Sequence, residues 1–191
     1  MNILELAEKT RTCRRFESRP LPEGFLEYLL EVARVCPSGK NSQPMKYILI
    51  GDPAMREKVY PHLRWAANLK DWDGPEPEER PTGYVAFILD KTISQDPFLD
   101  TGIVAQTMQL AAMEKGIGSC MIASLIREPL TALLELEPHQ ELKMILALGY
   151  PRETRVIVPV PESGSTAYYR DDRGVHYVPK RSSGNLLIRK Y

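Results

Sequence analysis

Ala33-Arg34-Val35-Cys36-Pro37-Ser38-Gly39-Lys40-Asn41-Ser42-Gln43-Pro44 joins two patterns of opposite character. An apolar helical repeat ends near Cys36, and an apolar strand begins at Tyr47. Pro37 cannot continue the helical hydrogen-bond ladder, and Pro44 disfavours helical backbone at Gln43. The segment between them is therefore a stiff loop with one hydroxyl (Ser38) and two carboxamides (Asn41 and Gln43) at defined positions. Such neutral donors and acceptors suit a planar polar ligand or a polyhydroxyl chain. An ordinary helix-to-strand connection has the same composition.

Working outward, Leu26, Leu29, Leu30 and Ala33 give one apolar face to a helix expected to start at Pro22. Before it, Ile3 to Lys9 reads as a short helix, followed by the basic run Arg11-Thr12-Cys13-Arg14-Arg15-Phe16. Downstream, Tyr47 to Ile50 reads as a buried strand, and Ala54 to about Leu69 as a helix with a break at Pro61. A second strand spans Gly83 to Leu89. Asp100 to Lys115 is apolar on most sides, so it is expected to be buried, with Gly116 as its stop. Pro129 to Glu135 reads as a short helix and Leu142 to Leu148 as a third strand. Residues 70–82 are rich in charge and proline and read as a lid-like loop, with Lys70 and Trp72 as candidate substrate contacts; a Trp72 that anchors the loop to the surface reads equally well. Residues 152–191 show no clear element before Leu186 and read as a C-terminal arm.

The 191 residues suit one domain with a core that needs no disulfides. Lys plus Arg and Asp plus Glu balance at 25 each, so no global field draws nucleic acid or an anionic membrane. No stretch reads as a signal peptide or a membrane span. Three cysteines (Cys13, Cys36, Cys120) without metal-ligand spacing fit reduced thiols, and the three histidines are scattered. The expectation is a cytoplasmic protein without a metal site.

The basic run offers three guanidinium groups and a hydroxyl within five residues, a fit to a phosphate ester. Taken alone, a solvated charge run reads the same way. Lys180-Arg181 could close on the same anion. Gly116-Ile117-Gly118 lacks dinucleotide-fingerprint spacing, nothing matches a P-loop, and no Ser-His-Asp or Cys-His set is visible. Asp96 and Asp100, near a helix start, read as serving the helix dipole.

In combination these pieces resemble the nitroreductase family of flavoproteins. Arg11-Thr12-Cys13-Arg14-Arg15-Phe16 is similar to the family's Arg-Ser-x-Arg-x-Phe opening. Pro37-Ser38-Gly39-Lys40-Asn41-Ser42-Gln43-Pro44 is similar to its Pro-Ser-x-x-Asn-x-Gln-Pro loop. Gly116-Ile117-Gly118-Ser119-Cys120-Met121-Ile122 resembles a Gly-x-Gly-Ser-Cys-x-Ile turn, and Leu148-Gly149-Tyr150-Pro151 a Leu-Gly-Tyr-Pro strand end. All four occur in the family's order and spacing.

The resemblance implies an α+β subunit, a central mixed or antiparallel sheet flanked by helices, in an intertwined homodimer with FMN at its interface. NAD(P)H would be the electron donor and a small nitroaromatic or quinone-like molecule the acceptor. Arg11, Thr12 and Arg14 or Arg15 would hold phosphate and ribityl, with Lys180 and Arg181 completing the phosphate pocket. Pro37, Ser38, Asn41 and Gln43 would reach the same flavin from the other subunit. The segment Ile122, Ala123 and Ser124 would lie beside flavin N5, and Arg14 would face the pyrimidine side. No side chain is expected to be catalytic, because the chemistry belongs to the cofactor. Thr10, Met45 and Ala123 depart from the family pattern at positions often filled by arginine, tryptophan and glycine, and the 70–82 loop is not a general family feature. The same fold hosts reductive dehalogenation and flavin fragmentation, and FMN storage is a non-enzymatic alternative.

Overall fold

The computed structural model describes residues 1–69, 71–97 and 99–191. Its centre is strand β2 (Gly83–Asp90), in which every residue from Gly83 to Leu89 is buried. A strand with no polar face must be covered on both sides, and the chain does this with helices. β1 (Met45–Ile50), β2, β4 (Gln140–Gly149) and β3 (Gly118–Ile122) lie in the order β1-β2-β4-β3, all antiparallel. The fold is α+β, as the resemblance implied.

Alternation along β2 divides the core in two. Val85, Phe87 and Leu89 face one cluster with α2 (Phe25–Arg34) and α4 (Asp100–Glu114). Tyr84, Ala86 and Ile88 face a second cluster with residues of α3 (Pro53–Val59) and α5 (Arg127–Leu133). On β4 the parity changes once. Leu142 joins the second cluster while Met144 joins the first, although they are two residues apart. The cause is a register shift: Phe87 pairs with Met144 but Ile88 pairs with Leu142, so Lys143 is the extra residue of a bulge. Lys143 carries its charge outward to Glu141, at 2.8 Å.

Several boundaries differ from expectation. α1 spans Ile3–Lys9 as read, but α2 starts at Phe25, after Gly24 in the left-handed region (φ 72°). Pro22 lies in the turn before it, its carbonyl accepting from Phe25 N–H at 3.1 Å. The helix from Ala54 does not reach Leu69. Pro61 tightens the chain into a 3-10 turn (Tyr60–His62), and Leu63 then bridges to Leu125. β3 was not anticipated, because small residues such as Gly118 and Ser119 lack strand propensity. Gly118 leaves room for Pro151 and Cys13, which a Cβ would meet at 2.9 and 3.0 Å.

The arm at 152–191 is more ordered than its composition suggested. β5 (Arg155–Pro159), β6 (Tyr169–Arg170) and β7 (His176–Lys180) form a second sheet in the order β5-β7-β6. It sits beside the basic run: Arg152 N–H donates to Arg15 O (2.9 Å) and Arg155 Nη1 to Arg11 O (3.3 Å). A short helix α6 (Ser183–Leu186) follows, with Leu186, Leu187 and Ile188 exposed.

The second half of the stretch read as a lid-like loop is tied to the body of the subunit, while Lys70 lies outside the described residues. Tyr60 Oη donates to Pro75 O (2.7 Å), and Arg56 Nη1 to Pro81 O (3.1 Å). Glu79 is buried, its carbonyl accepting from Phe16 N–H (2.9 Å) and its carboxylate from Arg15 Nε (2.6 Å). These bonds hold residues 75–82 as a strap across the subunit.

Arg15 holds the Glu79 carboxyl below its usual range, against the opposing effect of burial. This contribution to stability is full at neutral pH and is lost as pH falls through the lowered carboxyl pKa. Glu79→Ala is expected to cost about 2 kcal/mol, the scale of hydrogen bonds to a charged group. Urea unfolding at pH 7 checks this, and the difference from wild type should shrink towards pH 3.

Candidate functional site

The basic run leaves α1 and passes between β3 and the tail that carries the second sheet. Cys13 N–H donates to Ser119 O on β3 (2.8 Å), and Arg14 N–H donates to Glu153 Oε1 (2.6 Å). Glu153 is buried, and its other oxygen accepts from Arg170 (3.0 Å). These two anchors fix the course of the run between β3 and the tail. Arg11, Thr12 and Arg14 line a cavity of about 340 Å³ together with Thr10, Gln109, Met121, Tyr168, His176 and Lys180. Arg15 does not line it, being held by Glu79. Arg181 is exposed and does not line it either.

Among the described residues the cavity has three cationic side chains in its wall and no carboxylate. Arg14 is itself buried, its guanidinium 4.5 Å from the Tyr168 ring centroid and 3.2 Å from His176 Nε2. Arg is always a donor, so His176 Nε2 accepts and its proton resides on Nδ1, a buried atom without a hydrogen-bond partner among the described residues. Burial, with the charges of Arg14 and Arg170, pushes the imidazole down to about 4 against the pull of Glu153. Arg11 Nε is likewise buried and has no hydrogen-bond partner among the described residues, and burial and then the Arg155 charge lower the Arg11 pKa. Uncompensated positive charge beside an open cavity fits a bound anion such as a phosphate ester.

The polar loop lies elsewhere on the subunit. Ser38 Oγ donates to Asp100 Oδ2 (2.5 Å) and accepts from Gln43 N–H (2.8 Å). Gly39 N–H donates to Asp100 Oδ1 (3.0 Å). Lys40, Asn41 and Gln43 all have positive φ (51°, 55° and 52°), each costing a non-glycine residue about 1 kcal/mol or more. Ser38 therefore spends its hydroxyl inside the loop, while the Asn41 and Gln43 residues are exposed. Pro37, Ser38 and Gln43 line a small separate cavity with Asp100 and Tyr47. None of the loop residues lines the cavity of the basic run.

Ile122 ends β3 with its side chain in the second core cluster, so only its backbone could meet a ligand. Ala123 and Ser124 are exposed, their carbonyls accepting from Arg127 (3.0 Å) and Arg64 N–H (3.0 Å). Trp72 lies 4.8 Å from the Arg170 guanidinium, in a cleft of about 530 Å³ with Asn68, Leu69, Asp71 and Tyr169.

The sequence model of the Nitroreductase family matches residues 7–150, from the end of α1 to the end of β4. The chain belongs to that family. Its class as an FMN-dependent oxidoreductase follows from this membership. The nitroreductase-family chain is 24% identical over 174 residues to an iodotyrosine deiodinase of Thermotoga neapolitana, covering 82% of this chain and 92% of that protein. It is 27% identical over 183 residues to an NADH dehydrogenase of Thermus thermophilus, covering 77% and 85%. A Desulfovibrio desulfuricans protein solved in complex with FMN superposes with a TM-score of 0.70 at 20% identity, over 100% of this chain and 98% of that one.

Motif reading singled out Arg11, Thr12, Arg14 and Lys180, which the fold assembles around one cavity. It missed Glu153, His176 and Tyr168, which stand singly in a tail with no local pattern. It saw Asp100 but assigned it to the helix dipole.

His176 should titrate near 4. Between about 6.5 and 4 the unfolded chain takes up a proton that the folded imidazole refuses, so this residue lowers stability as pH falls through that window. NMR titration of the ring should show no step between pH 6 and 8. A midpoint near 6.5 would show that burial does not keep the ring neutral.

Proposed function

We propose that this chain is a homodimeric, cytoplasmic FMN-dependent NAD(P)H oxidoreductase of the nitroreductase type, using a small nitroaromatic or quinone-like acceptor. The observation that carries this reading is the cationic, carboxylate-free cavity built by Arg11, Arg14 and Lys180 in a chain of this family. The dimer is supported by the separation of the motifs. The basic run and the Pro37–Gln43 loop line different cavities of one subunit, so a ligand meeting both would do so from two copies. Exposed Leu186, Leu187 and Ile188 on the arm, and Ile3 and Leu4 on α1, offer apolar surface for such an interface.

When bound, the flavin supplies hydride chemistry in two alternating half-reactions, with NAD(P)H and with the acceptor. The chain supplies position and charge. Arg11 and Lys180 would hold the phosphate, Thr12 would offer a hydroxyl to the ribityl chain, and Arg14 would place buried positive charge against the ring system. Asn41 and Gln43 would bring carboxamides from the partner copy, and the backbone after Ile122 would border the reacting face. Trp72 and Arg170 would form one wall of the acceptor cleft.

The similarity to an iodotyrosine deiodinase over most of both chains supports a second reading, reductive dehalogenation of a halogenated aromatic on the same flavin. Anaerobic visible spectra decide among these readings. The purified protein is expected to show a flavin spectrum that bleaches with NADH or NADPH and returns with a nitroaromatic. Return only with a halotyrosine would select dehalogenation. Bound flavin that neither nucleotide reduces would indicate storage or fragmentation chemistry.

Arg11→Ala is expected to weaken FMN binding about a hundredfold, the scale of one charge-assisted bidentate contact. Unchanged affinity in an apoprotein titration would remove Arg11 from the phosphate site. Asn41→Ala should loosen FMN while light scattering still reports a dimer.

A further inference from the structure

We propose that Asp100 is a positioning residue that holds the Pro37–Gln43 loop in its ligand-ready shape through the Ser38 hydroxyl and the Gly39 amide. This rests on the reading of that loop as part of the flavin site. Asp100 is the first residue of α4, and it is 4% exposed. Its two oxygens accept from two successive residues of a loop sixty positions earlier: Ser38 Oγ at 2.5 Å and Gly39 N–H at 3.0 Å.

The clamp has a direction. A carboxylate only accepts, so the single Ser38 hydroxyl proton must point at Asp100. The Ser38 oxygen is thereby left to accept from Gln43 N–H at 2.8 Å. One chain of bonds thus runs from α4 to the far end of the loop. Inside it, Lys40, Asn41 and Gln43 hold positive φ, a shape that side-chain-bearing residues leave unless surrounding bonds determine it. Asn41 N–H to Ser38 O (2.9 Å) and Gln43 Nε2 to Asn41 O (3.1 Å) complete the turn. The carboxamides of Asn41 and Gln43 are thereby presented on a backbone whose geometry depends on Asp100. A residue that merely capped α4 would leave the loop unchanged when replaced by asparagine.

Asp100→Asn keeps the shape but breaks the direction. Asparagine offers one acceptor where two are needed: with its nitrogen towards Ser38 the hydroxyl proton loses its acceptor, and with its nitrogen towards Gly39 two N–H donors oppose each other. The test compares wild type, Asp100→Asn, Ser38→Ala and the double variant as apoproteins titrated with FMN, followed by fluorescence and by visible circular dichroism of the bound flavin. Hydrogen exchange of the Gly39 and Gln43 amides is measured in parallel.

Each single variant should weaken FMN about tenfold with the same change in the flavin dichroism. The double variant should be no weaker than either single one, because both cut the same chain of bonds. The Gly39 and Gln43 amides should exchange faster in Asp100→Asn while the thermal transition of the apoprotein moves little. FMN affinity within twofold of wild type, additive losses, or unchanged exchange at both amides would overturn the clamp while leaving the flavin reading intact. Wild-type apoprotein that fails to bind FMN would overturn the flavin reading itself and the role of Asp100 with it. Should Asp100→Asn not fold, Ser38→Ala decides by the same FMN and exchange criteria.

Discussion

The structure depends on a strand that has no polar face. From Gly83 to Leu89 β2 buries every residue, and its side chains alternate between two apolar clusters. Such a strand cannot sit at an edge or on a half-solvated sheet. It requires paired strands on both sides and helices on both faces, and the remaining elements meet those requirements. The bulge at Lys143 keeps this arrangement consistent. It reverses the parity of β4, so Leu142 and Met144 reach opposite cores while the charged residue between them turns outward. Removal of apolar surface from water drives this arrangement, at roughly 25 cal/mol per Å² buried.

A core of this kind leaves functional loops only at the sheet ends and margins, where backbone polar groups need partners. The same device recurs at each place: a carboxylate from a remote element anchors the loop. Glu153, in the tail, accepts the Arg14 N–H and orders the basic run. Glu79, in the strap after Trp72, takes the Arg15 guanidinium and accepts Phe16 N–H through its carbonyl. Asp100, at the start of α4, takes the Ser38 hydroxyl and the Gly39 amide. Acid and base also separate in space: these carboxylates stand behind the loops, and among the described residues the charged side chains of the cavity wall are cations. A net-neutral chain thus produces a locally positive site without a global field.

Tertiary context explains where sequence reading fell short. Propensity placed most long elements well, because Leu26, Leu29 and Ala33, or the apolar run 142–148, carry their periodicity openly. It missed β3, whose glycine and small residues are there for close approach of Cys13 and Pro151. It missed the second sheet because its strands are short and half exposed, stabilised by pairing with each other and against the basic run. Composition also gave no sign of the anchors beyond Pro75, because the partners of Glu79 and Arg80 lie far away in sequence.

The sequence by itself determined the family, through four short motifs in order, and with it the α+β class and the residue types offered to a cofactor. It also determined which strands must be central, since a run with no polar position has no other place to go. Only the tertiary structure decided which of three neighbouring arginines face the cavity, because Glu79, sixty-four positions away, claims Arg15 and leaves Arg11 and Arg14 to the cavity wall. It alone revealed that Asp100 serves the loop as well as its helix. Hydrogen bonds between residues sixty or more positions apart leave no local pattern, and those bonds orient the groups at this site.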